Sequence, residues 1–315
     1  MTTIKAGKSG LARRENRLGI GLVMPAVVVV GALVVFPLIW NVALSLQPAR
    51  LLNIRNVSVF GFTPTLRNYR VVTQDLDFWP VLWTTFVYTI FGTILSIGIG
   101  LWAALTLQKT FKGRGMVRGL TLFPYVVPVI AAAFVWKMML NPTFGIVNEW
   151  IAAGGGQRID FLGTKSQEIH LVGLSFSIPL ALITVILFEA WRYFPFAFLF
   201  ILAALQSLPK DVEEAAIVDG ATLSQRFLYV TLPQLGPVLS VLFLLRFIWT
   251  FNKFDDVFLL TGGGAGTRVI TVKIIDWLLG RADVGAAAAL GMILAGILLI
   301  LMAIYFKWFY QEEAA

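Results

Sequence analysis

Cysteine is absent from the 315-residue chain, which excludes disulfides, thiolate nucleophiles and cysteine-based metal sites. Histidine is nearly absent. His170 stands alone; it cannot build a histidine-rich metal centre and reads as an ordinary residue at a membrane interface. Charge is scarce as well: 13% of residues are Asp, Glu, Lys or Arg, where a soluble domain carries about 25%. No Walker-type phosphate loop occurs. The stretch "GGGAGT" at 262–267 is glycine-rich but lacks the following lysine, and it reads as a turn. If the protein depends on ATP, another chain binds the nucleotide.

What is present is apolar. Hydrophobic residues make up 58% of the chain, including 25 Phe and 10 Trp, and this places the protein in a membrane. The net charge of +8 then belongs to loops that follow the positive-inside rule, and is not a nucleic-acid signal. A spanning helix needs about 20 mostly apolar residues, and six stretches meet that length. They run from Leu18 to Leu46, Trp79 to Leu107, Val117 to Leu140, Leu171 to Leu205, Pro233 to Leu260 and Val284 to Trp308. The first is too long for a signal-peptide core and is expected to be retained, kinked at Pro25 and Pro37. The fourth is long enough to extend beyond the bilayer or to bend at Pro179 and Pro195. The last opens on "GAAAALG", small residues that permit close helix packing. The expected fold is all-α, a polytopic membrane protein with a basic tail (1–17), a six-helix domain (18–310) and a short C-terminal tail (311–315).

Six spans put both termini on one side. Lys5, Lys8, Arg13, Arg14 and Arg17 crowd the N-terminal tail against the single acid Glu15. Lys109, Lys112, Arg114 and Arg118 crowd the loop between spans two and three. That shared side is therefore cytoplasmic. The segment between spans four and five, about 206–232, lies there too, whereas 47–79, 141–170 and 261–283 face outward.

The cytoplasmic segment is the polar interruption "EEAAIVDGATLSQRFLYVTLPQLGP", Glu213 to Pro237. "DVEEAAIV" is rich in helix formers with acids in the first turn, where the helix dipole favours them. Asp219-Gly220 supplies a turn, "ATLSQRFLYVTL" resumes as a second helix, and Pro233 opens the next span. By itself this is a helix–turn–helix or a solvated loop.

Glu214-Ala215-Ala216, then Asp219-Gly220-Ala221, then Phe227 and Leu232-Pro233 resemble, residue by residue, the "EAA" loop in permease subunits of ATP-binding-cassette importers. Further stretches resemble the maltose-type carbohydrate subgroup: "NYRVV" (68–72), "FKGRGMVRGLTLFPYVVP" (111–128), "NPTFGIVN" (141–148), "FPF" (194–196), "LQSLPKDVEEAAIVDGA" (205–221) and "FNKFDDVFLLTGGG" (251–264). The resemblance covers roughly residues 18 to 310. The resemblance implies that the loop is a coupling helix docking on a cytoplasmic ATPase. Glu213, Glu214 and Asp219 would set register, Ala215, Ala216 and Ala221 would allow close approach, and Gly220 would act as a hinge. It implies as partners a second permease, two ATPase subunits that hold ATP and Mg, and an extracytoplasmic binding protein. It implies no cofactor, metal or catalytic residue in this chain, and residence in a bacterial or archaeal cytoplasmic membrane.

Charges at membrane depth are expensive and rarely idle. Span four carries Glu189 and Arg192; span five carries Arg246 and Lys253, with Asp255 and Asp256 toward its outer end. Arg246, Thr250 and Lys253 share one helical face, as do Glu189, Tyr193 and Phe196. Two such stripes suggest a wet cavity between them. The plainer alternative is that Glu189 pairs with Arg192 or Arg246 to neutralise buried charge. The resemblance assigns these six residues to sugar binding, with carboxylate and cation forking hydroxyls and Tyr193 or Phe196 stacking on the ring. Where the family usually has neutral groups, this chain has Glu189, Arg246 and Lys253, so an amino sugar, an acidic sugar or a phosphorylated polyol such as a glycerol phosphate stays open. Lys137 is expected to snorkel to the interface. Two rival functions fit less well. An ion-driven secondary transporter often shows internal repeats, and none is convincing here. A membrane enzyme would have only Glu189 with Asp255 or Asp256 as a carboxylate pair.

Overall fold

The computed structural model describes residues 10–312, except 59, 172 and 173. Most of the basic tail and the last residues of the C-terminal tail therefore lie outside the described residues, as does the side chain of His170. Two compact units emerge: the residues up to Gln74 with Trp277–Ile293, and Asp75–Asp276 with the residues from Leu294 onward.

In the first unit, α1 (Gly10–Val30) continues through Pro25 into a π-helical segment, Gly31–Val35, and on into α2 (Phe36–Ser45). Pro37 cannot donate a backbone hydrogen bond and its ring crowds the carbonyl four residues back, at Leu33. The widened π turn holds Leu33, so the strain expected as a kink is taken up by a bulge. A 3-10 turn (Leu51–Asn56) and α3 (Arg67–Thr73) follow. The start of α15 (Val284–Glu312) lies against them. Asn68 donates from Nδ2 to the carbonyls of Ser45 (2.9 Å) and Gln47 (2.6 Å), and the Gly285 amide donates to Ala49 (2.8 Å). A Cβ at Gly285 would lie 2.5 Å from Asn68 Nδ2. The small-residue run thus does permit close packing, against the loop after α2.

The second unit is built on the seam between α4 (Phe78–Leu107) and α9 (Leu180–Ser207), with α12 (Leu232–Phe251) crossing both. Ala103, Ala104, Ala197, Phe198, Ile201, Leu235 and Leu242 form its buried centre. Between α4 and α9 the chain makes α5 (Arg114–Thr121), α6 (Phe123–Val126), α7 (Val129–Met139) and α8 (Ile146–Ala153). The third expected span is therefore broken. Its two halves meet at 93°, because Pro128 lacks an amide donor and holds Val127 extended.

Two boundaries differ from the sequence reading. The fourth span starts at Leu180, not Leu171, because residues 167–178 form a hairpin: β1 (Gln167–Leu171) pairs antiparallel with β2 (Leu174–Ile178), Gln167 opposite Ile178. Leu174, Phe176 and Ile178 alternate with Ser175 and Ser177, a strand period hidden inside an apolar run. The fifth span ends at Phe251, where Asn252 turns its amide back on the Ile248 carbonyl (2.9 Å). A separate short helix, α13 (Asp255–Thr261), follows. "GGGAGT" is the turn the sequence suggested: Gly262, Gly263, Ala265 and Gly266 all have positive φ. Beyond it lies α14 (Ile270–Ile275), whose first amide is accepted by Thr85 Oγ1 (3.0 Å). Between α9 and α12 lie α10 (Lys210–Val218), α11 (Leu223–Arg226) and a second π segment, Phe227–Thr231. This segment again ends two residues before a proline, Pro233. Among the described residues five helices are long and apolar enough to cross a membrane, and six spans result if the bent pair counts as one.

The α4–α9 seam yields a test. A Cβ at Gly100 would lie 2.6 Å from Ala197 Cβ and 2.8 Å from the Phe198 amide, whereas one at Gly98 meets nothing within 4 Å. Overpacking costs roughly 1–3 kcal/mol, so Gly100→Leu is expected to lower the thermal unfolding midpoint in detergent, with Gly98→Leu unchanged. Equal midpoints for the two variants would show that this seam is not closely packed.

Candidate functional site

The intramembrane charges converge where α4, α9 and α12 meet. Glu189 on α9 is fully buried and Arg246 on α12 is 2% exposed. Arg246 Nη2 donates to Glu189 Oε1. Thr250, one turn beyond Arg246, accepts from the same Nη2 (3.2 Å) and donates to Oε1 (2.8 Å). Ser96 on α4 accepts from Arg246 Nε (3.4 Å). The carboxylate fits because α4 presents Gly92 to it: a Cβ there would lie 2.9 Å from Glu189 Oε2. The two polar stripes are thus closed on each other by an ion pair, and no wet cavity separates these two side chains.

Arg192 is not the partner of Glu189. Its Nη1 donates to the carbonyls of Val127 (2.8 Å) and Pro124 (3.3 Å), which the break at Pro128 deprives of helical donors. Lys137 does a related task, donating to the Leu259 carbonyl in α13 (3.4 Å), and so has a specific acceptor beyond the interface.

An open face borders this sealed pair. The Tyr193 ring has Lys253 Nζ 4.3 Å and the Arg246 guanidinium 4.6 Å from its centroid, within cation–π range. Lys253 also pairs with Asp255 (3.5 Å). From Tyr193 the rings continue through Tyr125 (6.1 Å) to Phe196 (6.2 Å from Tyr125), which contacts Phe200 (4.6 Å) and Trp249 (5.0 Å). Tyr125, Phe200 and Trp249 are more than 40% exposed. Aromatic faces beside a hydrogen-bond donor suit the C–H faces and hydroxyls of a sugar ring. Of the six residues singled out from sequence, Glu189, Arg246 and Thr250 lie in the sealed network, and Tyr193, Phe196 and Lys253 border the open face. Trp249 was missed, although it sits three residues after Arg246 and four before Lys253, on the same helical face. The hydroxyl stripe of α4 was missed too: Thr85, Thr89, Thr93 and Ser96 recur at helical spacing, and all four are buried. Asp256, also buried, lies one turn beyond Lys253.

The second candidate site is the corner between α10 and α11. Asp211 and Glu213 sit in the first turn of α10. The helix ends in a Schellman motif: Gly220 has φ +76°, its amide donates to Ile217 (3.0 Å), and the Ala221 amide reaches back to Ala216 (3.0 Å). A capping box follows at once. The Thr222 amide donates to Gln225 Oε1 (2.8 Å) and the Gln225 amide to Thr222 Oγ1 (3.3 Å). Glu213 pairs with Arg226 (3.5 Å), across the turn. Gly220 thus forms a corner closed by backbone hydrogen bonds, and Glu213 is paired inside the chain. Glu214, Ala215, Asp219 and Gly220 are exposed, and so are the apolar Val212, Ile217, Val218 and Leu223.

A helical corner with an exposed apolar rim thus stands at one end of the α4, α9 and α12 bundle. Residues 96–311 match the family of binding-protein-dependent transport system inner membrane components. The chain belongs to that family. It is 32% identical to the trehalose/maltose transport system permease protein of Thermococcus litoralis, over 95% of this chain and 96% of that one. It is 34% identical to an inner membrane ABC transporter permease protein of Escherichia coli, over 90% of each. It also superposes, at TM-score 0.78 and 20% identity over 93% of this chain and 94% of the other, on a chain of a bacterial alginate ABC transporter crystallised with an alginate pentasaccharide-bound periplasmic protein. The permease reading drawn from the "EAA" stretch is borne out. Among the described residues of this permease, no group of three or more His, Asp or Glu is placed to hold a metal ion.

The sealed pair is testable. Removing one partner of a buried ion pair costs about 3–5 kcal/mol, whereas apolar replacement of both is often tolerated. Glu189→Leu and Arg246→Met alone are each expected to collapse the yield of folded permease, and the double variant to recover much of it. Additive losses in unfolding midpoint would mean that the two residues do not act as a pair.

Proposed function

We propose that this permease forms the translocation path of an ATP-driven sugar importer. Separate ATPase chains, holding ATP and Mg, dock against the α10–α11 corner, and this chain itself hydrolyses nothing. A second permease and an extracytoplasmic binding protein complete the assembly. The α10 end of the bundle faces the cytoplasm of a bacterial or archaeal cell, and both termini lie on that side; the basic loop 109–118 supports this orientation. A tag at either terminus is then shielded from protease added outside sealed cells.

The observation that carries the reading is the corner itself. Four exposed apolar side chains surround a turn locked by consecutive backbone motifs, which is the rigid, partly apolar surface a docking partner needs. Gly220 lies in the left-handed region, and a Cβ there would meet nothing within 4 Å, so only backbone strain opposes substitution, at about 1–3 kcal/mol. Gly220→Val is expected to abolish stimulation of ATPase activity by the loaded binding protein in reconstituted complex. Leu223→Asp is expected to weaken retention of the ATPase chains. Normal stimulation and retention in both variants would leave the corner a solvated loop.

The cargo reading rests on the open face of Tyr193, Tyr125, Phe196 and Trp249 beside Lys253. Arg246 is committed to Glu189, Arg192 to backbone carbonyls, and Lys253 is balanced by Asp255. Little free positive charge remains for a phosphorylated polyol, and a neutral glycoside fits better. The Thermococcus litoralis protein, named for trehalose and maltose, supports the same class. Trp249→Ala is expected to reduce uptake at sub-saturating sugar about tenfold, the worth of one lost aromatic contact of ~1.4 kcal/mol, while assembly and basal ATPase activity persist. Uptake at the parental rate would move the path away from this face.

A further inference from the structure

A polar cleft of about 490 Å³ lies at the end of the bundle that carries α10; it borders the α10–α11 corner and shares only Glu213 with the sites described above. Arg114 and Arg118 line it from α5, four residues apart and so on one helical face. Gln108, Gln206 and Gln234 add amides and Thr231 a hydroxyl. Arg118 spends Nε (3.1 Å) and Nη2 on the Leu107 carbonyl, and Arg114 is exposed. Among the described residues no carboxylate is ion-paired with either arginine. The one acid in the lining, Glu213, is paired with Arg226. The cleft thus presents two arginines without an ion-paired carboxylate among the described residues, beside amides and a hydroxyl that can donate.

Its depth narrows the choice of anion. Gln108 directly follows α4, Gln206 lies in the last turn of α9, and Gln234 in the first turn of α12. Three apolar helices end at this cleft, which is the level of the phosphates in a bilayer. Basic clefts between the ends of spanning helices suit anionic headgroups, and guanidinium pairs suit phosphate oxygens. We propose that the cleft binds a phosphate group through Arg114 and Arg118, and that its source is the headgroup of an anionic phospholipid. Bound there, the phosphate ties α5 to Thr231, the last residue of the π segment, and to Gln234 just beyond it, and so steadies the root of the α10–α11 corner. The proposal needs the helices to cross a bilayer; it does not depend on which chains dock at that corner.

The test uses the complex that copurifies with the full chain. It is reconstituted in phosphatidylcholine, or in phosphatidylcholine and phosphatidylglycerol in equal parts, then extracted, and retained lipid is identified by native mass spectrometry. Phosphatidylglycerol is expected to be retained, about fivefold less by Arg114→Gln, to be lost from Arg114→Glu and to be largely kept by Arg114→Lys. Among the described residues the Arg114 side chain makes no hydrogen bond to the backbone, unlike Arg118, so it is the decisive position; Arg118→Lys serves as a second variant that keeps the charge. In a parallel arm, inorganic phosphate is titrated onto the phosphatidylcholine complex with thermal stabilisation as the readout. Stabilisation that Arg114→Glu abolishes, without phosphatidylglycerol retention, supports the phosphate site and places its source in solution. Lipid retention unchanged by Arg114→Glu, with no stabilisation by phosphate, overturns the proposal. Loss of the ATPase chains from Arg114→Glu with lipid retention intact also overturns it, because the cleft is then a protein interface.

Discussion

A carboxylate sealed among apolar helices needs a cation within reach, and Glu189 has one in Arg246. Everything around the pair follows from that need. Thr250 relays between the two partners, Ser96 takes a further guanidinium hydrogen bond, and Gly92 leaves α4 without a side chain where the carboxylate lies. The pair joins α9 to α12, and both press on α4, so three helices share one register. A buried pair adds little net stability over an apolar filling, because desolvation offsets much of the attraction. What it adds is specificity: a slip of one helical turn would leave a charge buried alone.

The same rule governs the backbone. At membrane depth an unsatisfied amide or carbonyl costs several kcal/mol, so irregular chain is tolerated only where protein satisfies it. The carbonyls freed by the break at Pro128 are taken by Arg192, the first amide of α14 by Thr85, and a carbonyl of α13 by Lys137. Pro37 and Pro233 are each preceded by a π segment that makes room for the ring. Several polar residues that look functional in a membrane sequence are thus structural, each repairing a defect in another helix.

How far the sequence could be read follows from the range of each interaction. The α10–α11 corner was legible because its Schellman motif and capping box are decided within ten residues, Ala216 to Gln225. The apolar runs were legible because length and composition alone mark a span. The choice between Arg192 and Arg246 as partner of Glu189 was not, since it depends on where the break at Pro128 delivers its carbonyls, and that is a tertiary fact. The aromatic face was only half visible: Phe196 was read from its own helix, but Tyr125 comes from a different element and Trp249 acquires meaning only beside Phe196. The hairpin at 167–178 was misread for a different reason. Counting apolar residues hid the alternation of Leu174, Phe176 and Ile178, which was there to be seen.

A rigid corner changes how motion reaches the cargo face on the proposed reading. A hinge at Gly220 would absorb displacement, letting α10 swing while the bundle stayed still. A left-handed cap closed by two backbone hydrogen bonds, followed directly by a capping box and braced by Glu213–Arg226, cannot absorb it locally. Displacement of α10 passes instead through α11 into the Phe227–Thr231 segment, which continues unbroken into α12. Beyond that segment, α12 carries Arg246, Trp249 and Thr250, the sealed pair and the open face together. Force applied at the corner is thereby delivered to the one helix that holds both, with Arg246 bound to Glu189 obliging α9 to follow.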